Sequence, residues 1–277
     1  MKKNQSDSSA RISTGIIITA LISVVLLFSH VPAVLYTSVL LLNILSVYEV
    51  FRAAFMHRST KLLWSVIAFT VLLTLIPFSY YETGLNIIFL LAMLFFFRIM
   101  RRCGRMILDT PVSLCSICLL IVLLFRSIPE IRRIECGFFI LIFAVLSSCA
   151  TDVFAYLIGK KLGRYKLCPK ISPNKTVEGS IGGITASVIV LLLAGKVMEC
   201  VAGLDVRYLV LGLYGIFASI VGQVGDLSMS AVKRCLGVKD YGTLFPGHGG
   251  ILDRFDSLLF IAPFTLLFCR YLGTFFI

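Results

Sequence analysis

Uncharged apolar residues gather in blocks along this chain. Most blocks approach the roughly twenty residues that carry a helix across a hydrocarbon layer. Nine blocks can be read, approximately over 14–29, 33–50, 62–78, 84–97, 112–125, 137–158, 179–193, 208–232 and 257–272. The first two are separated by length alone: no Asp, Glu, Lys or Arg occurs from Ile12 to Tyr48, about twice what one crossing needs, and His30, Val31 and Pro32 supply the turn. Backbone polar groups in lipid must be satisfied within the segment itself. The pattern therefore predicts an all-α, polytopic integral membrane protein of about nine transmembrane helices. Lys2 and Lys3 precede the first block as they would in a secretory signal, but no small-residue cleavage pattern with a soluble mature domain follows, so that block reads as a membrane anchor.

Composition agrees. Hydrophobic residues make up 58% of the chain, charged residues 14%, and the mean hydropathy is +0.98. The net charge of +12 is distributed by topology. Lys2, Lys3 and Arg11 precede the first block; Arg52, Arg58 and Lys61 follow the second; Arg98, Arg101, Arg102 and Arg105 follow the fourth. Lys160, Lys161, Arg164, Lys166, Lys170 and Lys175 follow the sixth, and Lys233, Arg234, Lys239 and Arg254 surround the loop after the eighth. Short loops rich in Lys and Arg stay on the cytoplasmic side, so these regions, the N-terminus included, are predicted to be cytoplasmic and the C-terminus to lie outside. The basic loops lie against apolar blocks and lack interleaved aromatics, which argues against nucleic acid and for anionic lipid or another polyanion. Nine cysteines, an odd number mostly within or beside apolar blocks, give no disulfide framework, and Cys115 and Cys118 read as two small apolar residues of one helix.

Buried charge is nearly absent up to residue 125, so 1–125 reads as N-terminal scaffold helices and 126–277 as a catalytic region with cytoplasmic nucleotide-binding loops. Two clusters carry the chemistry. In the first, Asp152 and Tyr156 are placed on one helical face, where the phenol can hold the carboxylate. A loop follows in which Ser172 and Asn174 can bond backbone or phosphate, and Lys175 brings a cation near Glu178. In the second, Gln223, Asp226, Ser230, Lys233 and Arg234 fall within a face about 100° wide at 100° per residue. Lys239, Asp240 and the run Pro246, Gly247, His248, Gly249, Gly250 come next, then Asp253, Arg254 and Asp256 at the head of the last block. Glycines around His248 let backbone N–H groups approach a phosphate. Phosphoryl and nucleotidyl transfer need carboxylates for Mg²⁺ and cations for the transferred charge, and Asp226 and Asp253 are the expected metal ligands if their helices pair.

From Ser230-Ala-Val-Lys233-Arg234 through Lys239-Asp240 to Pro246-Gly-His248-Gly-Gly-Ile-Leu-Asp253-Arg254-Phe-Asp256, the chain resembles the signature of the phosphatidate cytidylyltransferases, or CDP-diacylglycerol synthases, over 27 residues. Gly225-Asp226-Leu227 and the segment from Ser172 to Gly179 are similar to that family as well. The N-terminal half is similar only in being a run of spans. The resemblance implies an integral enzyme of a bacterial-type inner membrane that condenses CTP with phosphatidic acid, giving CDP-diacylglycerol and pyrophosphate. It also implies Mg²⁺ on Asp226 and Asp253, a second, monovalent cation such as K⁺, and a homodimer. In that reading Lys233, Arg234, Lys239 and Arg254 offset triphosphate charge, the glycine loop with His248 takes the departing pyrophosphate, and Ser172 and Lys175 bind the phosphatidate head group or CTP. Two alternatives stand beside it: a lipid or polyprenol kinase using a nucleoside triphosphate, and an ion-coupled transporter.

Overall fold

The computed structural model describes residues 2–54, 60–76, 84–102, 111–242, 244 and 249–276, with side chains from 14 onward except at 102. In chain order the elements are α1 (Lys2–Leu27), a 3-10 turn (Phe28–His30), α2 (Pro32–Ala54), α3 (Thr60–Leu75), α4 (Leu85–Arg102), α5 (Pro111–Phe125) and α6 (Ser127–Arg133). They continue with α7 (Gly137–Leu162), β1 (Lys166–Cys168), β2 (Ser172–Thr176), α8 (Val177–Ala202), α9 (Tyr208–Cys235) and α10 (Leu252–Leu272).

Each expected block falls on a helix, but only six segments are long and apolar enough to cross a membrane: Pro32–Ala54, Pro111–Arg133, Gly137–Leu162, Val177–Ala202, Tyr208–Cys235 and Leu252–Leu272. Thr14–His30 and Thr60–Leu75 are apolar but shorter, and α4 carries Arg98, Arg101 and Arg102 near its end. Six spans among the described residues therefore stand where about nine were expected. The architecture is all-α as expected, with one small addition, the two-stranded antiparallel hairpin β1–β2, which pairs Lys166 with Thr176 and Cys168 with Ser172.

The helices α7 to α10 pack in sequence, each antiparallel to the next. Between α7 and α8 the helices approach on small residues: a Cβ on Gly179 would lie 2.6 Å from the Ala155 carbonyl oxygen, and one on Gly183 would lie 2.9 Å from that of Thr151. A hydroxyl pair bridges what remains, Ser147 to Ser187 at 2.8 Å, and Thr151 of α7 reaches past α8 to donate to Ser219 of α9 at 2.8 Å. Small and hydroxylated residues of this kind hold helices together in lipid, where apolar surface alone gives no preference for a neighbouring helix. The same device joins α9 to α10, with Gly222 against Ile261 and Gly225 against Phe260. Rising numbers on α9 meet falling numbers on α10, which brings the C-terminal end of α9 beside the first turns of α10.

Two apolar cores result. One combines Val47, Val50, Phe96, Leu114, Ile121 and Phe125 of the N-terminal half with Met229, Val232, Leu252 and Phe260. The other gathers Ile140, Phe143, Leu191, Tyr214 and Leu266 around Phe275 and Phe276 of the C-terminal segment. The hairpin is pinned to α8 from both sides. Thr176 caps the helix by accepting the Gly179 amide at 3.1 Å, and the Glu178 carboxylate accepts the Tyr165 amide at 3.2 and 3.3 Å.

Candidate active site

Where α7, the hairpin, α8, α9 and α10 meet, a cavity of about 770 Å³ opens. Asp152, Tyr156 and Lys160 line it from α7; Lys166, Asn174 and Lys175 from the hairpin; Ser180 from α8; Gln223, Asp226 and Lys233 from α9. Asp240 and the first turns of α10, with Asp253, Arg254 and Asp256, close the wall. Five aspartates thus face four lysines and one arginine. Of the polar stripe expected on α9, Gln223, Asp226 and Lys233 face the cavity, and the opposite side of that helix is buried in the apolar core.

The two aspartates expected to converge do share this cavity, and the fold uses them differently. Asp226 is ion-paired with Lys175 of the hairpin, and its other oxygen accepts the Ser230 hydroxyl at 3.2 Å. Both side chains of that pair keep about a quarter of their surface exposed, 28% for Lys175 and 23% for Asp226. Asp253 is enclosed. One of its oxygens takes the Lys233 ammonium at 2.8 Å, and the other accepts the amides of Gly250 at 2.8 Å and Tyr241 at 3.0 Å. Lys233 also stands 4.0 Å from Asp256 and 5.5 Å from the centre of the Tyr241 ring. Its charge is therefore engaged by two aspartates and a π face. The Tyr241 phenol donates to the Met229 carbonyl at 2.9 Å; burial first, then Asp253 and Asp256, push its pKa well above the ordinary value, so it is a neutral donor.

The other expected residues divide into two groups. Asn174, Lys175, Asp240, Arg254 and Asp256 line the cavity with Asp226, Asp253 and Lys233. Ser172, Glu178, Ser230, Arg234 and Lys239 do not belong to its lining. Ser172 sits in the strand ladder and Glu178 holds the hairpin amide. Ser230 orients Asp226. Arg234 bonds the carbonyls of Ile171 at 3.2 Å and Val238 at 3.3 Å, clamping the hairpin turn. Asp152 lines the cavity, but it accepts from Ser257 at 3.3 Å instead of from Tyr156, whose ring is exposed with Lys160 5.9 Å from its centre.

Gly247 and His248 lie outside the described residues. At the described end of the glycine run, the amides are engaged within the chain. The Gly250 amide is taken by Asp253, and those of Ile251 and Leu252 by Glu49 of α2, at 2.8 and 3.0 Å. Gly249 has φ +82°, and a Cβ there would lie 2.9 Å from the Asp253 carboxylate. Sequence reasoning missed Glu49. The signal was present, since it is the first acid after the long uncharged run from Ile12 and sits inside an apolar block.

Against known proteins, residues 9–272 match the Cytidylyltransferase family. The chain belongs to that family. Among its relatives, the phosphatidate cytidylyltransferase of Bacillus subtilis is 50% identical over 141 residues, 50% of this chain and 51% of that protein. A protein of the same name from Staphylococcus epidermidis is 49% identical over 123 residues, covering 44% of this chain and 46% of that one. The uncharacterized protein YnbB of Escherichia coli is 42% identical over 139 residues, 50% of this chain and 45% of its own length. The chain spans about half the length of the curated relatives it matches.

For a cytidylyltransferase, a divalent ion is the group whose fit needs testing. Among the described residues no three His, Cys, Asp or Glu side chains form a ready-made ion cage. Mg²⁺ does not require one, because it is commonly held by one or two carboxylates together with substrate phosphates. Asp226 fits this pattern: it faces the cavity, about a quarter of its side chain is open, and the cation it now holds is a lysine from the hairpin.

Proposed function

We propose that this chain is a membrane-embedded phosphatidate cytidylyltransferase. It joins the phosphate of phosphatidic acid to the α-phosphorus of CTP and releases pyrophosphate, leaving CDP-diacylglycerol in the bilayer. The observation that carries the reading is the cavity of five aspartates and five cations at the ends of helices whose bodies are apolar. A polyanionic nucleotide and a lipid phosphate meet only where charge and membrane adjoin. The names of the relatives and the 27-residue signature support the same assignment.

In this mechanism a phosphatidate oxygen attacks the α-phosphorus in line as the bond to the departing pyrophosphate breaks. No strong general base is needed, since a phosphomonoester is largely dianionic near neutral pH. Lys160, Lys166 and Arg254 bind and orient phosphates at the cavity wall. Lys175 leaves Asp226 for the triphosphate, which carries more charge than one carboxylate. Lys233 holds Asp253 and Asp256 in place. Asp226 and Asp253 are the residues that would hold Mg²⁺, whose chemistry is to offset charge on the triphosphate. The distribution of the basic loops supports a cytoplasmic orientation for this cavity, in a plasma membrane of bacterial type.

The test is to incubate the detergent-purified chain with phosphatidic acid and CTP labelled on either the α- or the γ-phosphorus. Label from the α position should appear in a CDP-lipid. Transfer of the γ label alone assigns a kinase, and absence of any covalent product overturns the enzyme reading in favour of transport.

A further inference from the structure

Glu49 is 5% exposed and lies near the end of α2, in the half of the chain that supplies no lining residue to the cavity. A carboxylate removed from water is costly unless donors replace the water. Here they come from 202 and 203 residues away, as the amides of Ile251 at 2.8 Å and Leu252 at 3.0 Å. These are orphan donors at the start of α10, and Ile251 at the N-cap offers no side-chain cap of its own. The cap that a Ser or Asp would normally supply locally is thus provided by another helix. The loop has been shaped around it. A Cβ on Gly250 would lie 2.3 Å from one Glu49 oxygen, and a Cβ on Gly242 would lie 2.6 Å from the other. The signature glycine at 250, which the sequence suggests is there to admit a phosphate, admits the carboxylate of Glu49.

We propose that Glu49 is a positioning residue: it packs against Gly242 and Gly250 and clamps the first turn of α10, fixing Asp253, Arg254 and Asp256 in their reacting geometry. The proposal rests on the cytidylyltransferase reading. Asp253 belongs to the same clamp, since its carboxylate takes the Gly250 and Tyr241 amides, the latter one residue before Gly242. Releasing Glu49 therefore frees the start of α10 and leaves Asp253 alone to hold Gly250 and Tyr241, so that three cavity residues shift as a unit. Displacements of about 1 Å in reacting groups can lower rates on the order of 10²-fold.

The experiment compares Glu49→Gln, which keeps one acceptor oxygen, and Glu49→Ala, which keeps none, with Ser46→Ala. Ser46 is buried one turn earlier on α2, and its hydroxyl has no hydrogen-bond partner. Cytidylyl transfer should fall in kcat by about tenfold in Glu49→Gln and about 10²-fold in Glu49→Ala, with KM for phosphatidic acid held within about twofold. Ser46→Ala should match the unmodified chain. Amide hydrogen exchange should accelerate at residues 249–256 in Glu49→Gln while α7 and α8 keep their protection. A normal rate in both Glu49 variants overturns the proposal. So does a loss that Ser46→Ala shares, or exchange that rises equally across the helices. If the unmodified chain forms no CDP-lipid, the functional reading has failed, and the exchange comparison still decides whether Glu49 holds the loop.

Discussion

Asp226 and Asp253 are both acids lining the cavity, yet losing one charge should mean different things at the two positions. Asp253 is 2% exposed as a side chain and pairs with a Lys233 that is 10% exposed. Removing one partner of such a buried pair typically costs about 3–5 kcal/mol, because the other charge is stranded. Asp253→Asn is therefore expected to lower both turnover and the melting temperature in detergent. Asp226 and Lys175 are partly open, and pairs that water reaches contribute about 1 kcal/mol or less. Asp226→Asn should abolish turnover with little change in melting. Equal destabilisation by the two substitutions would show that their burial has been misread. The sequence placed Asp226, Lys233 and Asp253 near one another by helical spacing and loop length. It gave no sign that Lys233 is held by two aspartates, because that pairing depends on how closely α9 and α10 approach.

At the scale of elements, that approach is set by glycines whose purpose a linear reading does not reveal. A Cβ on Gly225 would fall 2.6 Å from the Phe260 ring, whereas one on Gly212, in the same helix, meets nothing within 4 Å. Gly225→Ala should push α10 away and destabilise by about 1–3 kcal/mol. Gly212→Ala should stabilise by about 0.5–1 kcal/mol through the helix backbone alone. Thermal unfolding of the two variants checks the pair, and a shift of the same sign in both would contradict the packing. The helices themselves were legible, since long uncharged blocks admit few other structures in lipid. The hairpin was not: Ser172, Pro173, Asn174, Lys175 and Thr176 show no alternation of apolar and polar positions, and Pro173 argues against a central strand. These five residues form a strand because Thr176 and Glu178 pin the segment to α8. The cap that Glu49 gives to α10 was equally hidden, since no local spacing announces a partner about two hundred residues away.

For the whole molecule, the alternation of basic loops predicts one charged face and one nearly neutral one. In a chain whose native cysteines are replaced by serine, Lys170→Cys should react with an impermeant maleimide only from the cytoplasmic side of sealed vesicles. Asp205→Cys, across the length of α8, should react only from the other side. Labelling of both from one side would rule out the topology. Nine blocks were legible as apolar, but crossing also needs sufficient length and low charge, and among the described residues six segments meet both. The first core joins Val47, Ile121 and Phe125 to Val232, Leu252 and Phe260, so the two halves of the chain do not pack as separate bodies. A hybrid grafting residues 1–125 from a half-matched relative would have to import the complementary side-chain volumes too, and domain shuffling within this family is constrained by that mutual fit.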